Sequence, residues 1–116
     1  MSDVPQLRQV QHPVPDVAAA VEFYAEAFGF PAKFVDGERY AALDAGGATL
    51  ALAGTAEDIT GGASAASVKV ANVEDALGAV VRAGGVVVRP PAPGPHETRA
   101  VVRDPWGNLL IVYSAG

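Results

Sequence analysis

The 116-residue chain carries few side chains placed for acid, base or nucleophilic chemistry. It has two histidines, His12 and His96, and no cysteine. Disulfides, thiolate metal sites and cysteine nucleophiles are therefore excluded. His12 precedes Pro13 and reads as a capped or surface residue. His96 belongs to a Pro/Gly-rich hairpin, at a rim where it either faces solvent or reaches a ligand. Ser67 has no base at a spacing that identifies a Ser-His-Asp triad. What remains is chemistry suited to binding: the amides of Gln9 and Gln11, the hydroxyl of Ser67, and the aromatic rings of Phe34, Tyr40, Trp106 and Tyr113. Trp106 sits in a turn, where it either covers a sheet end or dimer contact or walls a flat ligand. Glu97 and Arg99 alternate along one strand and read as solvated, with contact to a pocket as the alternative. Lys69 either snorkels to water or meets an anionic group.

These groups need a scaffold, and the clearest piece of it is Asp104-Pro105-Trp106-Gly107-Asn108. Proline presets φ, glycine tolerates φ > 0, and Asp and Asn bond to nearby backbone, so this is a turn. Val101-Val102 before it and Leu109 to Tyr113 after it make the segment a β-hairpin. A weaker echo, Leu43-Asp44-Ala45-Gly46-Gly47-Ala48-Thr49-Leu50-Ala51-Leu52, aligns Asp44 with Asp104 and Ala51 with Ile111 at an offset of 60. Earlier in the chain an offset of 56 pairs Val14 with Val70, Asp16 with Asn72, Val17 with Val73 and Gly29 with Gly85. The four extra residues fit the insertion Pro90-Pro91-Ala92-Pro93-Gly94-Pro95.

Each copy has the same order of elements. A strand over 7–14 leads to a helix capped by Asp16, with Val17, Ala20, Val21, Tyr24 and Phe28 at helical spacing and Gly29 closing it. Pro13 places that end of the strand at an edge or bulge. Strands over 32–35, 39–43 and 48–53 follow. Residues 54–64 form a linker, either a loop without a role or a lid. A strand over 65–70 then leads to a helix capped by Asn72 and ended by Gly84-Gly85, followed by strands over 86–88, 97–103 and 109–113. The expectation is a single α+β domain of two tandem βαβββ modules, about 6–53 and 65–114.

With half its residues hydrophobic, the chain is neither a disordered tail nor a charged linker. No apolar run approaches the ~20 residues that cross a membrane, and no secretory signal is expected. The expected location is cytoplasmic. A net charge of −5 without a Lys/Arg cluster argues against nucleic acid as a partner and for a small molecule.

Val14-Pro15-Asp16, the helix bearing Glu22-Phe23-Tyr24 and Phe28-Gly29-Phe30, and the second copy ending in Asp-Pro-Trp-Gly-Asn resemble the vicinal oxygen chelate superfamily. That group includes glyoxalase I, bleomycin-resistance proteins and extradiol dioxygenases. The resemblance covers roughly residues 7 to 113. It implies a curved mixed sheet with helices on its convex side, a ligand cavity on the concave side and, commonly, a homodimer. In metal-dependent members, four strand positions supply His, Gln or Glu to a divalent ion. Carried onto this sequence they are Gln9, Ala51, Ala65 and Ile111. Alanine and isoleucine have no donor atoms, and divalent ions need about three or more protein donors. No metal or other cofactor is therefore expected.

Strand alternation sorts the remaining residues. Val10, Leu50, Leu52, Val68, Val70, Leu110 and Val112 form an apolar set suited to packing under the helices. Gln9, Gln11, Thr49, Ala51, Ala53, Ala65, Ser67, Lys69, Leu109, Ile111 and Tyr113 form a mixed set rich in small side chains, as a ligand cavity would be. Gln9, Gln11, Phe34, Tyr40, Ala51, Ser67, His96, Trp106, Ile111 and Tyr113 are the candidate ligand-binding residues. The expected role is metal-free binding of a hydrophobic or aromatic molecule, as in the bleomycin-resistance branch. A metal-independent isomerase or lyase, using His96 or Gln9 for proton transfer, and a relic of the fold acting in protein contacts are the alternatives.

Overall fold

The computed structural model describes residues 5–94 and 96–115. In order, the elements are β1 (Gln6–Pro13), α1 (Val17–Phe28), β2 (Ala32–Asp36), β3 (Tyr40–Asp44), β4 (Thr49–Ala53), β5 (Ala65–Lys69), α2 (Val73–Arg82), β6 (Val86–Pro93), β7 (Glu97–Arg103) and β8 (Leu109–Ala115). The architecture is the expected mixed α+β, with βαβββ written twice. By contacts the chain divides into Gln9–Ser64 and a unit built on the residues from Ala65 onward. The strands run β2-β3-β4-β1 in the first and β5-β8-β7-β6 in the second. β1 pairs in parallel with β4, and β5 with β8; the other pairs within each unit are antiparallel.

Both helices start as their caps require. Asp16 Oδ1 accepts from the amide of Ala19 at 3.0 Å, and Asn72 Oδ1 from that of Asp75 at 2.8 Å. Val17 then packs on Ala41, Leu43 and Leu52, and Val73 and Leu77 on Ala100, Val102 and Val112. The two cores correspond place by place: Ala41 to Ala100, Leu43 to Val102, Leu50 to Leu110, and Leu52 to Val112. Val10 departs from the expected packing; it is 41% exposed.

The register corrects the alignment of the turns. Asp44 pairs with Thr49, and Arg103 with Leu109. Asp44 therefore occupies the ladder position of Arg103, not of Asp104. The first turn is closed by Ala45 N donating to Ala48 O at 2.8 Å, the second by Asp104 N donating to Asn108 O at 2.9 Å, with one more residue between. The offset of 60 holds after the turn but is 59 before it. Both aspartates still brace their turns, accepting from the amides of Gly46 and Trp106 two residues on.

Two further boundaries differ from expectation. β6 continues through Pro90, Pro91 and Ala92 to Pro93, with register shifts on either side of Arg89. It ends its unit's strand order, where a proline's missing N–H breaks no inner ladder. Pairing also runs past Pro13: Pro13 faces Ala53, and Val14 N donates to Ala53 O. α2 ends at Arg82 and, as expected, Gly84-Gly85 closes it: Gly84 is left-handed at φ 103°, and the Gly84 and Gly85 amides donate to the Val81 and Val80 carbonyls. A Cβ on Gly85 would lie 2.6 Å from Val80 Cγ1 and 2.7 Å from the Arg103 carbonyl.

Residues 54–64 are tied to the first unit. Gly54 N donates to Arg39 O, Arg39 pairs with Glu57, and Asp58 accepts from Thr60 N and Gly62 N. Ser64 Oγ lies 2.5 Å from His12 Nδ1. The segment is a braced loop, although nothing in its periodicity marks it as ordered.

Gly85 and Gly78 give opposite predictions. Gly85→Ala should lower unfolding free energy by about 1–3 kcal/mol, since both its obstructions are close-packed. Gly78→Ala should raise it by up to ~1 kcal/mol, because a helical glycine gains propensity and its nearest obstruction is the movable end of Arg82. Chemical denaturation of the two variants measures both signs.

Candidate functional site

Each unit has one sheet face covered by its helix, and the candidate residues lie on the other. In the first unit Gln11 stands beside Ala51, Ala51 beside Ala42, and Ala42 beside Phe34. Tyr40 stands beside Ala53. Gln9 Nε2 donates to Tyr40 Oη at 3.0 Å. The two residues enter from opposite ends of the β1-β4-β3 ladder, so their side chains meet diagonally across the Ala51 row. Ala51 and Ala53 are fully buried. Their small side chains make room for the Tyr40 ring, so part of the volume expected for a ligand is filled by the chain itself. Phe34 remains 55% exposed and its ring centroid lies 6.4 Å from that of Tyr40.

In the second unit Ser67 stands beside Ile111 and Ile111 beside Val101. All three are buried. One row on, Lys69 stands beside Tyr113 and Tyr113 beside Arg99. The Arg99 side chain is only 23% exposed, and its Nε lies 3.9 Å from Glu97 Oε2. Arg99 is thus less solvated than strand alternation alone suggests. Its signal was available in the sequence as the residue across from Tyr113, but only a register makes that visible.

The structure does not gather all ten candidates. His96 is exposed just before β7, beyond the pair Glu97–Ala115, whereas Trp106 lies in the turn beyond Arg103–Leu109 and is 82% exposed. The length of a seven-residue strand, roughly 20 Å, separates the two.

The four positions that the resemblance assigns to metal ligands form two equivalent pairs. Gln9 and Ala51 lie on the parallel strands β1 and β4, two residues out of step; Ala65 and Ile111 repeat that geometry on β5 and β8. Ala51, Ala65 and Ile111 are buried and offer no donor atom, which leaves the Gln9 amide oxygen as the one side-chain donor of the four. Among the described residues no three His, Cys, Asp or Glu side chains come together to hold an ion. The residues at these positions do not fit a divalent ion.

Two helix-backed βαβββ units with paired positions on their parallel inner strands define a class of fold, and comparison with known proteins places the chain within it. Residues 6–112 match the Glyoxalase/Bleomycin resistance protein/Dioxygenase superfamily, and the chain belongs to that superfamily. An uncharacterized protein of Mycolicibacterium smegmatis (strain ATCC 700084 / mc(2)155) is 41% identical over 95 residues, 82% of this chain and 81% of that one. Among solved structures, an NAD-dependent benzaldehyde dehydrogenase from Legionella pneumophila superposes with a TM-score of 0.79 at 18% identity, covering 93% of this chain and 98% of that one. A superfamily member from Vibrio splendidus 12B01 gives 0.67 at 16%, covering 91% and 96%. At such identities the structural likeness speaks for the fold alone.

The Asp104 carboxyl lies below its ordinary value, chiefly because the Asn108 side chain donates to it at 2.9 Å, with the Asn108 amide adding a second bond. A lowered folded value means that this group contributes stability above the unfolded value and loses it as pH falls through the folded one. Asn108→Ala should therefore move the Asp104 carboxyl up toward the ordinary aspartate value, as read by carboxyl-carbon NMR titration.

Proposed function

We propose that this protein binds a small hydrophobic or aromatic molecule without a metal ion, in the manner of the bleomycin-resistance branch. The single observation that carries the reading is the chemistry at the ligand positions, where three of four side chains, Ala51, Ala65 and Ile111, have nothing to give an ion. Each unit also carries groups suited to holding an organic molecule. Phe34 and Tyr40 offer aromatic surface, and Gln9, Gln11, Ser67 and Tyr113 offer donors and acceptors for its orientation. Ile111 would contribute apolar contact, with Trp106 and His96 at the periphery. A homodimer in the cytoplasm is the assembly and location this reading expects.

Binding is favoured here over metal-free proton transfer. His96 stands at the far end of the β7–β8 hairpin from Trp106, and the Gln9 amide does not titrate. The amide therefore cannot act as a general base, and His96 stands exposed outside the strand rows.

Native mass spectrometry of freshly purified protein tests the proposal. The expected spectrum is a dimer carrying an organic adduct that is lost on denaturation. A bare chain that also shows no amide shifts with a panel of aromatic compounds in NMR would overturn it.

A further inference from the structure

We infer that the molecule taken by the second unit carries an anionic group, a carboxylate or a phosphate, held by Lys69 and Arg99 on either side of Tyr113. This rests on the small-molecule reading above and names the chemistry of one end of that ligand.

The three residues form one cross-strand row over β5, β8 and β7, on the face turned away from α2. Adjacent strands are ~4.8 Å apart, so the backbones of Lys69 and Arg99 stand about 10 Å from each other. Their long side chains can close on a single group above the Tyr113 ring. Glu97, at 3.9 Å from Arg99, supplies one negative charge to this pair of cations. Arg89, opposite Val101, adds a third cation one row away. The chain as a whole carries a net charge of −5, so cations grouped on one face stand out from its composition. All three members of the row are partly buried. Arg99 and Tyr113 have partners within the chain, so an arriving anion would join or replace them.

The internal repeat gives a control within the molecule. The equivalent row of the first unit is Pro13, Ala53 and Tyr40, without a charge. The buried side chains packed with each helix are apolar in both units, so packing beneath the helices asks for no cation at this place. The difference lies on the opposite face, where Arg99 replaces Tyr40 and Lys69 replaces Pro13. A guanidinium grips carboxylate or phosphate oxygens with two parallel bonds, and the ammonium adds a point charge. The Tyr113 ring between them provides an apolar surface beside the charged end, which suits an aromatic acid.

Amide NMR titrations with benzoate, benzyl alcohol and inorganic phosphate test this on the intact chain. Benzoate should bind at least tenfold more tightly than benzyl alcohol, shift Ser67, Lys69, Arg99 and Tyr113, and weaken as salt is raised. Arg99→Met and Lys69→Met should each weaken benzoate at least tenfold and leave benzyl alcohol unchanged, whereas Arg82→Met should affect neither. Saturable phosphate binding at the same amides, lost in Arg99→Met, would support the anion site with phosphate as its source. Equal binding of benzoate and benzyl alcohol would overturn the anion and leave the small-molecule reading standing. No shift at this row with any of the three probes would also overturn the anion site, and no shift at any amide of either unit would count against the small-molecule reading as well.

Discussion

Side chains on a strand point alternately to its two faces, and both faces of the inner strands are closed to water here. Ala51 and Leu52 are neighbours in β4, and each is fully buried on its own side; Val101 and Val102 repeat this in β7. A slip of one residue would exchange the two sets and place Leu52 or Val102 where the helix cannot cover it. The helices thus fix the register. Once Val17 and Val73 have docked, the identity of every residue on the other face is determined, and that face becomes the variable part of the molecule.

The two units use that freedom differently. Their helix-facing residues match in place and kind, from Ala41 and Ala100 to Leu52 and Val112. On the other face the first unit lays Tyr40 across alanines and ties it to Gln9. The second places larger apolar residues, Ile111 and Val101, beside a row of cations around Tyr113. A shared scaffold with divergent faces explains why superfamily membership says little about reaction or ligand. The side chains needed for an ion are missing from both units, and the groups present are those that orient organic molecules.

Much of this was legible in the sequence, because helix caps, closing glycines and turns act over a few residues. Asp16, Asn72 and Gly29 do what their types and spacing imply. The misaligned turn shows the limit: Asp44 and Asp104 make the same local bond, yet the ladder places Asp44 with Arg103. A one-residue difference in turn length leaves no trace in composition. β6 was cut short by the same logic, since prolines end strands unless an edge position spares their missing N–H. The order of 54–64 comes from Arg39 and His12, distant in sequence, and the burial of Arg99 from a register that no local pattern encodes.

The account turns on an absence of donors at defined places, so metal affinity tests it most directly. The purified protein should be dialysed against Zn²⁺, Ni²⁺, Mn²⁺ and, without oxygen, Fe²⁺, and its metal content measured by elemental analysis. The prediction is no stoichiometric retention of any of the four. Retention of one equivalent of a single ion, abolished by Gln9→Ala, would contradict it.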